Sequence, residues 1–175
     1  STFIKIVCRG IGQIVFATDP LAIGLVLAGL VVCSRLIAIA ALAGSLLGTG
    51  ISILVGLNAE EVHLGLYSYC PALTFIGTLM FYVPTSMSTS FAAIGVLFTV
   101  IFQAALSSLF QISGLPVNSF PFSFVIISLV LCQGNAKAFI GVPLESISLP
   151  EDHLKRVRLL RDGFYLFFEA LRSYD

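Results

Sequence analysis

The sequence predicts an all-α polytopic membrane protein, and two observations lead to that prediction. Of the 175 residues, 58% are hydrophobic and only 10% are charged, whereas a soluble domain carries about 25% charged residues. No Asp, Glu, Lys, Arg or His occurs from Leu64 to Ala136, and several helices of about 20 apolar residues fit into that stretch. The formal net charge is zero, so nothing in the composition indicates a nucleic-acid partner.

Five apolar runs are predicted to cross the bilayer. Arg35, a polar loop over residues 58–63 and a Ser/Thr-rich loop over residues 84–90 separate them. Five crossings place the two chain ends on opposite sides of the membrane, and an odd number of spans is what one half of an inverted repeat requires. The predicted spans are residues 21–34, 36–59, 66–83, 91–112 and 122–132.

The segment before the first span is too short and too polar to cross. Lys5 and Arg9 interrupt its apolar residues, and Asp19-Pro20 is a turn signal. We interpret this segment as a re-entrant half-helix that ends at Asp19-Pro20. An interfacial helix that leads into the first span is the alternative.

Two predicted spans carry features that bear on packing. In the second span, small residues recur every four positions, which creates a face that another helix can approach closely. In the third span, Pro71 removes one helical hydrogen bond and is predicted to kink or break the helix. The small-residue face consists of Ala40, Gly44, Gly48 and Ser52.

A proline-rich break lies between the fourth and fifth runs. Residues 114–122 read Gly-Leu-Pro-Val-Asn-Ser-Phe-Pro-Phe. At membrane depth, freed backbone groups survive only where protein or a watery cavity surrounds them, so the break is either a pore lining or an extramembrane turn. In the preceding span, we interpret Gln103, Ser107 and Ser108 as interhelical hydrogen-bonding groups rather than substrate contacts.

The distribution of reactive side chains does not indicate an enzyme or a cofactor site. A hydrolase needs a convergent acid, base or nucleophile, and the uncharged stretch has serines but no His or carboxylate. The cysteines show no CxxC or Cys/His metal spacing, so we interpret them as packing residues. They are Cys8, Cys33, Cys70 and Cys132.

The chain changes character after the last span. We divide it into a membrane-embedded domain over residues 1–140 and a tail over residues 141–175 that contains an amphipathic helix from Glu151 to Arg172. This helix is predicted to rest on the membrane surface or against the helix bundle. Its clustered Lys and Arg residues favour a cytoplasmic location.

Several motifs, in order along the chain, resemble those of the urea transporters. The family signature is Leu-Pro-x-x-Thr-x-Pro-Phe, and it is similar to Leu115, Pro116, Ser119, Pro121 and Phe122 here, with Ser119 in place of Thr. The pore half-helix motif is similar to Gly12-Gln13-Ile14-Val15-Phe16 followed by Asp19-Pro20, and the second-span motif is similar to Gly44-Ser45-Leu46-Leu47-Gly48. The third-span motif resembles Gly65-Leu66-Tyr67 with Tyr69, Cys70 and Leu73, and residues 142–153 resemble the usual C-terminal ending.

The resemblance implies a passive channel for urea in the plasma membrane. Urea transporters consist of two homologous five-span halves in inverted orientation and form trimers, whereas this chain carries one copy of each motif and looks more like the second half. A second repeat, either upstream in the same chain or in another copy, is therefore an expected partner. A fragment of a longer protein and a single-repeat relative are both compatible with this pattern.

The resemblance also implies roles for individual residues. Ser119 and Gln13 would offer oxygens to the amide hydrogens of urea, and Phe16 and Tyr69 would be aromatic walls of a slot that Ile14 and Leu73 narrow. Where the family has Asn, this chain has Cys70 followed by Pro71. A channel for a related neutral solute and a non-transporting membrane subunit are the alternatives.

Overall fold

The computed structural model describes residues 2–15, 19–112, 114–132 and 149–155. The elements before residue 133 are all α-helices, which confirms the predicted fold class. They are α1 (Thr2–Gln13), α2 (Pro20–Cys33), α3 (Arg35–Val55), α4 (Ala59–His63), α5 (Leu66–Phe81), α6 (Ser86–Gln111) and α7 (Phe120–Cys132). Residues 150–155 form a further helical turn.

Five apolar helices occupy the positions of the five predicted spans. By length and composition, α3 and α6 are each able to cross a membrane, whereas α2, α5 and α7 are shorter apolar helices. Large hydrophobic side chains are exposed along several of them, including Leu25 at 75% and Leu54 at 87%. Apolar residues on an outer surface are what a lipid environment requires of an all-α membrane protein.

Local capping chemistry shifts several predicted boundaries. The second span ends at Val55 rather than at residue 59, because Gly56 adopts a left-handed conformation with φ 74° and terminates α3. The predicted loop over residues 58–63 contains the short helix α4, which Asn58 caps. The predicted loop over residues 84–90 is also mostly helical, since Thr85 and Ser88 form a capping box that starts α6.

The first helix is shorter than predicted. It ends at Gln13 and not at Asp19-Pro20, because Asp19 instead caps the start of α2, with Pro20 at its first position. Its 12 residues correspond to about 18 Å, against about 30 Å for the hydrocarbon core. Ile6, Val7 and Ile11 are buried against neighbouring helices, so α1 belongs to the interior of the bundle.

The predicted small-residue face of α3 packs directly on α5. Ala40, Gly44, Gly48 and Ser52 are all buried. A Cβ atom added at Gly44 would lie 2.6 Å from the Pro71 carbonyl oxygen, and one added at Gly48 would lie 2.5 Å from Pro71 Cγ. The expected close approach of a second helix is thus confirmed, and Pro71 is where it occurs.

Pro71 does not break α5, which runs without interruption from Leu66 to Phe81. Of the two predicted outcomes, a kink or a break, the break does not occur. The proline ring is fully buried, and the missing N–H deprives the Tyr67 carbonyl of its usual helical donor. That carbonyl faces Gly48, where an added Cβ would come within 2.8 Å. Tight packing against α3 holds the helix together at this point.

Hydroxyl groups join the helices inside the bundle. Thr49 and Ser68 share a hydrogen bond of 2.6 Å between α3 and α5, and Thr74 and Thr99 share one of 2.8 Å between α5 and α6. The Tyr82 hydroxyl donates to the Leu129 carbonyl at 2.6 Å, which connects the end of α5 to α7. These buried polar groups satisfy one another where water is excluded.

The described part of the tail packs against the bundle. Glu151 accepts hydrogen bonds from the Ser34 hydroxyl at 2.6 Å and from the Leu36 backbone N–H at 2.9 Å. This carboxylate therefore helps to cap α3 from a position far along the chain. The predicted amphipathic helix over residues 151–172 begins here, but its remainder lies outside the described residues.

Candidate functional site

A cavity of about 280 Å³ lies between α1, α5, α6 and the 114–119 segment. Five of the six residues predicted for the site line it, and the sixth, Phe16, lies outside the described residues. The five are Gln13, Ile14, Tyr69, Leu73 and Ser119. Residues that are far apart in the sequence thus line the same cavity.

The end of α1 positions Gln13 and Ile14. The Gln13 amide group donates to the Leu64 carbonyl at 3.3 Å, which leaves the amide oxygen available as an acceptor. Ile14 lies in the turn that follows α1, and its backbone N–H donates to the Ile11 carbonyl at 3.2 Å. The polar Gln13 and the apolar Ile14 therefore both line the cavity.

Two neighbouring side chains of α5, Tyr69 and Cys70, contact the 114–119 segment. The Tyr69 hydroxyl donates to the Asn118 carbonyl, and the Cys70 thiol lies 3.6 Å from the same oxygen. Asn118 has a positive φ of 46°, a conformation that asparagine tolerates better than most residues. The side chains of α5 therefore stabilise the turn that precedes Ser119.

Ser119 lies immediately before the first residue of α7. Its carbonyl accepts from the Ser123 N–H at 3.1 Å, and its side chain is exposed on the cavity. Pro121 is the second residue of α7 and is fully buried. The helix N-terminus places partial positive charge close to the Ser119 hydroxyl.

One face of α6 also lines the cavity, and we did not assign its residues to the site from the sequence. Gln103, Ser107 and Gln111 recur every four positions and contact the same space. Gln103 donates to the Leu66 carbonyl at 2.5 Å, which confirms the predicted interhelical bond, but it belongs to the cavity as well. The four-residue spacing of polar groups on an otherwise apolar helix is the signal that could have identified this face.

The cavity lining combines apolar side chains with amide and hydroxyl groups and carries little charge. Glu61 is the one carboxylate among the described lining residues, and it accepts from Gln111 Nε2 at 3.5 Å. Within the part of the chain that the structure describes, no group of three metal-ligating side chains occurs. Amide and hydroxyl groups beside Ile14 and Leu73 suit a small neutral solute that forms hydrogen bonds.

Comparison with known proteins identifies the family. A family model described as "Urea transporter" matches residues 1–134. The chain belongs to the urea transporter family. The family predicted from the sequence is thus confirmed.

Two relatives illustrate how much of a family member this chain covers. It is similar to urea transporter 1 of sheep (Ovis aries), with 26% identity over 145 residues that include 82% of this chain and 38% of the relative. It is also similar to urea transporter 1 of rat (Rattus norvegicus), with 27% identity over 177 residues that include 91% of this chain and 44% of the relative. The chain therefore spans less than half the length of these urea transporters.

Proposed function

We propose that this chain forms part of a passive transmembrane channel for urea, with the 280 Å³ cavity as its filter. The observation that carries the proposal is the convergence of Gln13, Ile14, Tyr69, Leu73 and Ser119 on that cavity. These residues come from three separate motifs, and family membership alone does not require that they meet.

The chemistry of the lining suits urea. Urea is flat, neutral and rich in hydrogen-bonding groups, so acceptors at Ser119 and Gln13 replace part of its hydration. Tyr69 provides a flat aromatic wall, Phe16 is the proposed second wall, and Ile14 and Leu73 narrow the slot. Ions are rejected because the apolar part of the slot does not compensate for the loss of their hydration.

The opposite wall of the pore comes from a second repeat, in the same chain or in another copy. The covered fraction of the relatives, 38% and 44%, supports this proposal, since a family member is about twice the length of this chain. We further propose that complete channels form trimers in the plasma membrane. In this arrangement, residues 1–140 are embedded in the membrane and the tail over residues 141–175 is cytoplasmic.

Stopped-flow urea uptake by proteoliposomes tests the proposal on the full-length protein. The variants Ser119→Val and Gln13→Leu each remove one acceptor, and we expect each to reduce urea permeability by roughly tenfold, the order of one to two hydrogen bonds. Ser128→Ala is the matched control, because this exposed serine on α7 bonds to the Phe124 carbonyl and lies outside the cavity lining.

The same experiment separates the alternatives. Permeability that exceeds background for acetamide but not for urea would indicate a channel for a related neutral solute. Absence of flux for either solute in the full-length protein would support a non-transporting membrane subunit. Urea flux that neither acceptor variant changes would rule out this cavity as the filter.

A further inference from the structure

The buried amide group of Gln103 has a hydrogen-bond partner for its nitrogen but none for its oxygen among the described residues. Gln103 is 3% exposed, and its Nε2 donates to the Leu66 carbonyl at 2.5 Å. Its Oε1 is buried and has no hydrogen-bond partner among the described residues. Since buried polar atoms in folded proteins nearly always have partners, this oxygen requires an explanation.

The orientation of the amide group follows from its surroundings. Exchange of the two terminal atoms would place Oε1 at 2.5 Å from the Leu66 carbonyl oxygen, and two acceptors at that distance repel each other. Nε2 must therefore point toward Leu66. The acceptor oxygen is left for a group that the described residues do not supply.

The position of Gln103 indicates where that group would come from. Gln103 lines the same cavity as Gln13 and Ser119, but it belongs to α6, whereas the other two belong to α1 and to the 114–119 segment. A flat solute with amino groups at more than one edge can therefore meet acceptors from more than one element of the fold.

We propose that Gln103 Oε1 is a specificity-determining acceptor that selects solutes by their N–H groups. This inference rests on the proposed urea channel and adds a selectivity residue from a helix outside the family motifs. Urea offers two amino groups, whereas acetamide has a methyl group in place of one of them. An additional acceptor therefore favours urea over acetamide, because the methyl group leaves one acceptor without a partner.

The test compares urea and acetamide permeability in proteoliposomes that contain the full-length protein. We expect Gln103→Met, which retains a similar length but has no oxygen, to lower the ratio of urea to acetamide permeability by about fivefold. Gln103→Asn keeps both the amide donor and the acceptor oxygen on a shorter side chain, and it should retain more of the ratio than Gln103→Met does. Ser108→Ala is the control on the same helix, since its exposed hydroxyl bonds to the Ala104 carbonyl outside the cavity lining.

A purely structural role predicts a different result. Loss of the bond to Leu66 alone would reduce both permeabilities in proportion and leave their ratio unchanged, which would overturn the proposal. Unchanged permeabilities in Gln103→Met with normal urea flux in the wild type would also overturn it, while the proposed channel function would stand.

A binding measurement keeps the proposal testable if the wild type shows no flux or if Gln103→Met does not fold. Saturation-transfer difference NMR on the purified wild-type protein measures urea and acetamide binding without transport. Tighter binding of urea than of acetamide supports the acceptor even where flux is absent, in which case only the transport proposal fails. Equal binding, or no binding of either solute, overturns the acceptor.

Discussion

At the residue scale, two glycines determine how closely α3 and α5 approach. Pro71 projects into the space that side chains at Gly44 and Gly48 would occupy. The same contact explains why a proline is tolerated within α5, because its ring fills the groove that the glycines leave open. Removal of that groove should therefore destabilise the whole pair of helices.

Gly48→Ala tests this interpretation. The added Cβ would lie 2.5 Å from Pro71 Cγ and 2.8 Å from the Tyr67 carbonyl, so we expect a loss of about 1–3 kcal/mol in stability. Gly50→Ala is the control on the same helix, since nothing lies within 4 Å of its added Cβ, and it should be neutral or slightly stabilising. Thermal unfolding in detergent measures both, and equal effects of the two variants would contradict the close approach.

At the element scale, hydroxyl pairs fix the position of one helix relative to the next. The Thr74 and Thr99 hydroxyl oxygens lie 2.8 Å apart, and each is also within hydrogen-bond distance of a carbonyl of its own helix. Because each hydroxyl has one proton, one of them donates to its own carbonyl while the other donates across to its partner. Both side chains are fully buried. The pair connects α5, which carries Tyr69 and Leu73, to α6, which carries Gln103.

A double-mutant cycle with Thr74→Val and Thr99→Val measures this connection. We expect each single variant to lose about 0.6–1.7 kcal/mol, from the average to the largest value found for interhelical hydrogen bonds in a membrane protein. The double variant should lose less than the sum, because the second substitution removes a group that has already lost its partner. Strict additivity in thermal unfolding would show that the two helices are coupled by packing alone.

At the scale of the whole molecule, the described part of the tail contacts the bundle through the Glu151 carboxylate. Partial burial raises the pKa of Glu151, but the hydrogen bonds from the Leu36 N–H and the Ser34 hydroxyl together lower it by more. The net pKa therefore lies below its ordinary value. The folded state therefore favours the ionised carboxylate. It follows that the docked tail stabilises the protein more when Glu151 is charged.

This connection predicts how stability depends on pH. Because the folded-state pKa is lowered, the contribution of Glu151 is present in full above the unfolded value of about 4.3 and is lost as the pH falls through the folded pKa. The difference in unfolding temperature between wild type and Glu151→Ala should thus be constant from about pH 7 to pH 5 and shrink below about pH 4. Asp152→Ala, which removes an exposed neighbouring carboxylate, is the control and should change the unfolding temperature much less. If the effect of Glu151→Ala on the unfolding temperature does not depend on pH, the charge of Glu151 has no role.

Much of the architecture could be predicted from the sequence because lipid imposes strong rules on composition. The uncharged stretch from Leu64 to Ala136 and the spacing of Gly44 and Gly48 follow from those rules, and the helices match the predicted spans to within a few residues apart from their capped ends. The ends were harder to predict because they depend on local chemistry. The left-handed Gly56 and the Thr85–Ser88 capping box each involve only one or two residues, so they are harder to recognise in the sequence than a long apolar run.

The sequence by itself determined the fold class and the family, and it predicted residues that line the candidate site. Only the tertiary structure decided that Gln103 faces the same cavity as Gln13 and Ser119, and that Glu151 reaches Ser34. It also decided that Pro71 packs without breaking its helix. The physical reason is that composition and periodicity report the environment of a segment, whereas a cavity or a long-range bond depends on which segments pack together.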